Sequence, residues 1–469
     1  MKFNYLSEIP KNSTTIIIPY LENNRPNVFE NTIIDVKIFS GKKDQVYTRI
    51  IDHKLIVFLG LGKNLEYKTI QNNFRRLIAQ KTDLFESEIS IDFSNFEDSF
   101  FVESAISGMF LGTYNLGHFK SEKKLNKLIQ DNFQINIISK KEVQNQVNRG
   151  ISIAKATQKS LEMIDLPPNV VTPTYLANWS KTLEDAQTTV EIFDQETCEN
   201  IGLHAFVNVG KASERPMKFI IIDYKPNSYK KHFGLIGKGV TFDTGGYNIK
   251  TQGMLHMKCD MGGAAAVLGA IQLIKDFKIN HRVTVIVPAC ENSVSGKALL
   301  PSEVISSYSG KSIEIIDTDA EGRLILSDAI AYMLKNFKPE IMIDVATLTG
   351  SSVGTFGYEC AALFSNNEEI KEKLGKIGLE INEKNWPLPL WDNYKSDIES
   401  EIADVKNYSG KPVAGAISAA KFLEFFTENH TAWAHLDIAG VAFVDGEFAK
   451  TKYASGYGVH LLTKFIENY

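Results

Sequence analysis

Six near-continuous runs of Val, Ile and Leu recur through the second half of the sequence: "MKFIIID", "HFGLIGKG", "RVTVIVPAC", "SIEII", "EIMIDVATL" and "AWAHLDIAG". A strand with one wet face alternates apolar and polar residues, whereas an unbroken apolar run needs cover on both faces. Segments of helical spacing separate most of these runs. The expected fold class is therefore α/β, with a central, largely parallel or mixed sheet flanked by helices. In such sheets functional groups gather just beyond the carboxyl ends of the strands.

The first 140 or so residues read as a smaller α/β domain. "HKLIVFLGLG", "EISIDF" and "FQINIIS" read as strands, and "TIQNNFRRLIAQK" and "FVESAISGMFLGTY" as helices. A long helical stretch, "KEVQNQVNRGISIAKATQKSLEMID", stops at "LPPN", because proline lacks an amide donor and restricts the residue before it. The expected division is residues 1–150 as an N-terminal α/β domain with this connecting helix, and 151–469 as a larger α/β domain. A helix follows at "TPTYLANWSKTLEDA", with Thr172 as its N-cap.

A chain of 469 residues has room for both. Its net charge of -5 argues against nucleic acid as a dominant partner, and the basic run "KKLNKL" reads as a solvated helix face. Four widely spaced cysteines without a CxxC pair fit free thiols in a reducing compartment. The N-terminus lacks the layout of a secretory signal, and no unbroken apolar run approaches the roughly 18 residues of a membrane span. A cytoplasmic protein without a membrane partner is the expectation.

Three segments share a layout of apolar strand followed by a charged, glycine-bearing turn. "GKGVTFDTGGYNIK" holds Lys238, Asp243 and Lys250, and "MKCDMGGAAAVLGA" holds Asp260. "DTDAEGRLIL" holds Asp317, Asp319, Glu321 and Arg323. Singly, each has a plain explanation: an Asp before two glycines forms turns, and acids at a helix start favour its dipole. Together, four acids converging on one water-poor pocket would be expensive to bury unpaired. Two lysines and an arginine offset them in part, whereas two divalent cations balance them outright. An oxygen-rich set with one nitrogen suits Mn²⁺, Mg²⁺ or Zn²⁺ better than soft metals.

These motifs, with "IDVATLTG" and "WAHLDIAG", closely resemble the leucyl (cytosol) aminopeptidase family, peptidase family M17, in matching order over roughly residues 150 to 469. The resemblance implies a catalytic α/β domain and a homohexamer. It implies an aminopeptidase that releases N-terminal amino acids, of leucine type, from short peptides by a water activated between two divalent ions, Mn²⁺ or Zn²⁺, with Mg²⁺ or Co²⁺ as substitutes. Position by position, it makes Lys238, Asp243, Asp260, Asp319 and Glu321 the metal ligands, with Asp243 and Glu321 bridging. Lys250 and Arg323 become the catalytic residues, with a bicarbonate ion at Arg323. Met257, Thr347, Leu348 and Gly350 match positions lining the substrate pocket.

The chain departs from the family pattern at Asp317, where asparagine is usual, and in "SGKALLPSEV", where Leu300 and Glu303 are unusual. The segment between Lys250 and Asp260 is slightly short. Two rival readings are a dinuclear metal phosphoesterase and an additional regulatory or DNA-binding role. No HExxH motif, G-x-S-x-G context or complete Walker layout supports a mononuclear zinc protease, a serine nucleophile or nucleotide binding. His435, inside an apolar run, reads as a satisfied core histidine.

Overall fold

The computed structural model describes residues 2–22, 28–29, 32–96, 99–122 and 125–469. The chain divides into two compact units: residues 1–158 with 380–382, and 159–379 with 383–469. Of "KKLNKL", Lys123 and Lys124 lie outside the described residues.

In the first unit the described residues form a six-stranded sheet. Its strands are β1 (Lys2–Leu6), β2 (Thr15–Tyr20), β3 (Val46–Ile51), β4 (Lys54–Gly60), β5 (Glu88–Asp92) and β6 (Gln134–Ile138). Their order is β1-β6-β5-β2-β4-β3, parallel except for the β3–β4 hairpin. β2 is buried at every residue, as a run covered on both faces must be. Helices α1 (Tyr67–Gln80) and α2 (Ser99–Leu111) contribute Phe74, Leu77, Phe101 and Met109 to its core. The long helix α3 (Gln144–Asp165) stops just before the proline pair.

The second unit is built on a nine-stranded mixed sheet among the described residues. In chain order its strands are β7 (Thr188–Phe193), β8 (Lys218–Tyr224), β9 (His232–Gly237), β10 (Gly239–Asp243), β11 (Arg282–Asn292), β12 (Ile341–Ala346), β13 (Ala361–Ser365), β14 (Asn385–Pro387) and β15 (Trp433–Asp437). The order is β14-β13-β15-β12-β9-β11-β8-β7, with β10 on the end of β11. The central strands β11, β9, β12 and β15 run parallel, and the antiparallel pairs lie toward the edges. β9, β12 and β15 are buried throughout, so their apolar runs follow from cover on both faces.

Two strand expectations change. "SIEII" does not join the central sheet: only Ser312–Glu314 is extended, in a small sheet with Val304–Ser306 and Val405–Lys406. "GVTFD", read as part of a turn, is β10, and it delivers Asp243 at its end.

Helix α4 (Pro173–Lys181) starts where Thr172 Oγ1 accepts from Tyr175 N at 3.3 Å. The helices α5 (Gly262–Asp276) and α6 (Glu321–Asn336) pack on the sheet and begin at its carboxyl edge. α5 comes unusually close to the sheet: a Cβ on Gly263 would lie 2.0 Å from Val345 O. The "GG" of that motif is thus a packing requirement. The stretch Met254–Asp276 is long and apolar enough to cross a membrane, yet its most apolar 18 residues are 78% buried.

Candidate metal centre

Four strand ends and two helix starts meet at one edge of the central sheet. Lys238 follows β9; its N–H donates to Val345 O at 3.0 Å and its carbonyl accepts from Ala264 N at 2.9 Å. These bonds stitch the lysine between β12 and α5. Asp243 ends β10, and Asn292, ending β11, donates from Nδ2 to Asp243 Oδ1 at 2.8 Å. Thr347 follows β12, and its Oγ1 donates to Asp260 Oδ1 at 2.8 Å. Asp319 and Glu321 belong to the turn that opens α6, where free amides favour negative charge.

The turns are tied to one another. Thr318 Oγ1 donates to Gly245 O at 2.7 Å and accepts from Asn248 N at 2.8 Å. Asn248 Oδ1 in turn accepts from Thr318 N at 3.0 Å. The segment after β10 and the turn before α6 therefore move as one piece. Asp317 Oδ1 accepts from Asp319 N at 2.8 Å, so the unusual acid caps this turn while also lining the cleft.

The result is a cleft of about 860 Å³. It is lined by Lys238, Asp243, Lys250, Met257, Asp260, Asp319, Arg323, Thr347, Leu348 and Gly350. Glu321 lies beneath this wall, 2% exposed. Ligand oxygens of Asp243, Asp319 and Glu321 lie within 4.8 Å of one another, and Asp260 joins them through Lys238. Leu300 and Glu303 are not among the lining residues.

The charges are unevenly matched. Lys238 Nζ lies 2.8 Å from both Asp260 Oδ2 and Glu321 Oε1, and donates to Thr347 O at 3.0 Å. The two buried carboxylate oxygens thus share one ammonium. Lys250 Nζ pairs with Asp243 Oδ2 at 2.7 Å and with Asp319 Oδ1.

Burial pushes the Asp319 carboxyl up to about 7, with Asp243 and Glu321 acting in the same direction. Burial likewise lifts Asp260 and Glu321 above the ordinary carboxylate range, against the pull of Lys238. Burial would push the two lysines down, but the surrounding carboxylates outweigh it and hold both protons more tightly than water does. Four carboxylates against two ammonium groups and the Arg323 guanidinium still leave an excess of negative charge. With a donor set of oxygens plus one amine, the residues fit hard divalent cations.

Arg323 is 5% exposed; Nη1 donates to Asn407 O at 2.9 Å, and Nε has no partner. Burial pulls its pKa below the usual guanidinium range, while Glu321, Asp317 and Asp437 act in the opposite direction. His435 is only partly satisfied. Its Nδ1 meets Asp344 Oδ1 at 2.5 Å, but the buried Nε2 makes no hydrogen bond. Burial opposes charge on this ring, and the adjacent Asp344 outweighs it and raises the pKa.

Several supporting residues were not singled out in the sequence. Asn292, Asn407 and Asp437 are polar residues at strand ends that orient a neighbouring turn. Asp437 was legible in outline, as the polar end of an apolar run. Asn407 sits in an unremarkable loop, and nothing local to it signals the site.

Known proteins resemble this chain in sequence and fold. Residues 158–463 match the family described as "Cytosol aminopeptidase family, catalytic domain". A probable cytosol aminopeptidase of Chlorobium phaeobacteroides is 34% identical over 470 residues, covering 94% of this chain and 92% of the relative. One of Rickettsia canadensis is 34% identical over 465 residues, covering 96% and 93%. A solved mutant of tomato leucine aminopeptidase superposes with a TM-score of 0.88 at 27% identity, covering 100% of this chain and 97% of that one. The chain belongs to the cytosol aminopeptidase family, whose members are metal-dependent aminopeptidases, and it is a hydrolase of that kind.

Proposed function

We propose that the cleft holds two divalent ions and releases N-terminal amino acids, of leucine type, from short peptides. Lys238, Asp243, Asp260, Asp319 and Glu321 would be the ligands, with Asp243 and Glu321 shared. The observation that carries this is the cluster of Asp243, Asp319 and Glu321 within 4.8 Å, with buried Asp260 beside it across Lys238. When bound, such a pair supplies Lewis acidity and a water acidic enough to ionise near neutral pH. Mn²⁺ or Zn²⁺ suits the donor set, with Mg²⁺ or Co²⁺ as substitutes. As a ligand, Lys238 must give up the proton its neighbours hold, which couples ion binding to pH.

The remaining side chains have separate tasks. Lys250 stays an ammonium, because Asp243 and Glu321 outweigh its burial. It would donate to the oxygen that gains charge when the peptide carbonyl is attacked, a contribution of about 3 kcal/mol. Arg323, with its unpartnered Nε, is suited to hold a small anion such as bicarbonate, which would accept and return a proton. Met257, Thr347, Leu348 and Gly350 line the wall available to the first residue of the substrate. The names of the relatives support a cytoplasmic location and a homohexamer is the proposed assembly, with no membrane or nucleic-acid partner.

A panel of aminoacyl-amides run with Mn²⁺, Zn²⁺, Co²⁺ and Mg²⁺ tests this reading. Leucyl-amide should rank among the best substrates. The Lys250→Ala and Arg323→Ala variants should bind the ions as wild type does and lose about a hundredfold or more in kcat. Variants that turn over normally would remove both assignments.

A further inference from the structure

We infer that Asn407 is a positioning residue, which locks the acid-bearing turn 316–320 and Arg323 into one unit. Its side chain is wholly buried at the end of the short strand Val405–Lys406, which pairs with Ser312–Glu314. Oδ1 accepts from Ile316 N at 2.8 Å and Asp317 N at 3.3 Å. Nδ2 donates to Asp317 O at 2.6 Å and Ala320 O at 3.4 Å. Backbone amides can only donate and carbonyls only accept, so these partners fix the orientation of the amide. Its own N–H donates to Glu314 O at 3.0 Å, and its carbonyl accepts from Arg323 Nη1. Among the described residues, that bond is the one hydrogen bond of the Arg323 side chain.

The need for such a clamp is electrostatic. Asp317, Asp319 and Glu321 fall within five residues and repel one another, and an unrestrained turn would splay them toward water. A carboxamide satisfies donors and acceptors on both sides of the turn without adding charge. An apolar side chain would leave two amides and two carbonyls without these partners. An aspartate would place oxygen against the two carbonyls. The short three-stranded sheet delivers this amide to the turn.

What the turn is positioned for rests on the two-ion reading above, so the test keeps the two separable. Three measurements are made on the full chain: Mn²⁺ affinity by titration calorimetry, kcat and KM for leucyl-amide, and hydrogen exchange at Ile316 and Asp317. For Asn407→Leu, Mn²⁺ affinity should fall about ten- to a hundredfold, as losses of groups that orient ligands do. The drop in activity should lie in kcat rather than KM. In the unsubstituted protein, the Ile316 and Asp317 amides should exchange slowly.

A folded Asn407→Leu protein with Mn²⁺ affinity and kcat within twofold of wild type would overturn the inference. So would fast exchange at the two amides, a readout that decides the matter even if the variant does not fold. A wild-type protein that binds Mn²⁺ but leaves aminoacyl-amides intact would sink the proposed function instead. The affinity and exchange measurements would still decide the role of Asn407.

Discussion

A Cβ added at Gly322 would lie 2.6 Å from Lys238 Nζ. The glycine after Glu321 is thus where the ammonium and the start of α6 come into contact. Gly322→Ala should displace Lys238 and weaken Mn²⁺ binding about tenfold or more, readable by calorimetry, while the far-UV circular dichroism stays unchanged. His232 supplies a second prediction at this scale, remote from the chemistry. Thr284 Oγ1 donates to Asp223 Oδ1, which only accepts, so the 2.8 Å contact to His232 Nε2 must be a donation from the ring. Nδ1 is then the site left for a second proton. Burial, reinforced by Arg282, lowers that pKa to about 4.

A histidine that resists protonation when folded but takes up a proton when unfolded adds stability above pH 6.5. That stability is lost as the pH falls toward 4, and amounts to roughly 3 kcal/mol at most. Urea titrations at pH 7 and pH 5 should show the loss, and His232→Gln should flatten the slope; equal slopes would refute it. The seven charged residues expected at the site stood out because charge beside glycine at a strand end is unusual, whereas Met257, Thr347, Leu348 and Gly350 came from the family resemblance alone. Gly322 was quoted within a motif, but its packing role needs the fold to be seen.

At the scale of elements, β12 and β15 end together, and Asp437 secures the loop that follows. Its Oδ1 accepts from Leu348 N and Ala439 N, each at 3.1 Å, and its Oδ2 from Thr349 Oγ1 at 2.6 Å. Thr349 Oγ1 also accepts from Ser352 N at 3.1 Å, which caps α7 (Gly350–Phe356). One carboxylate therefore sets the wall formed by Leu348 and Gly350. Asp437→Ala should raise KM for leucyl-amide about tenfold with a smaller change in kcat, measured by steady-state kinetics. A change confined to kcat would mean that the loop does not shape binding.

Five strands of the central sheet, β8, β9, β11, β12 and β15, were legible from their apolar runs because burial on both faces leaves few other patterns; β7, β13 and β14 were not among those runs. "SIEII" misled for the same reason: Ile313 and Ile315 are buried in the core while only Ser312–Glu314 pairs as a strand. β10 was missed because its end carries chemistry, and glycine and aspartate there read as a turn. Asn407 was invisible because its partners lie some 90 positions away in the chain.

Over the whole molecule, the sequence separated a small α/β region from a larger one by a long helix, and the compact units divide inside α3, at 158. The buried stretch Met254–Asp276 shows why composition alone misreads a core helix. Its small residues let it press against β12, and the same approach fixes Lys238 between them. If the homohexamer is correct, light scattering after size exclusion should give about six times the chain mass, and a monomer would set that assembly aside.

The central claim is that these carboxylates are crowded in order to hold two cations. Metal content by plasma mass spectrometry, followed through chelation and Mn²⁺ return with leucyl-amide turnover, tests it most directly. About two ions per chain should be bound in the active protein, with turnover lost on their removal and regained on their return. Undiminished turnover in a protein stripped of every ion would contradict the account.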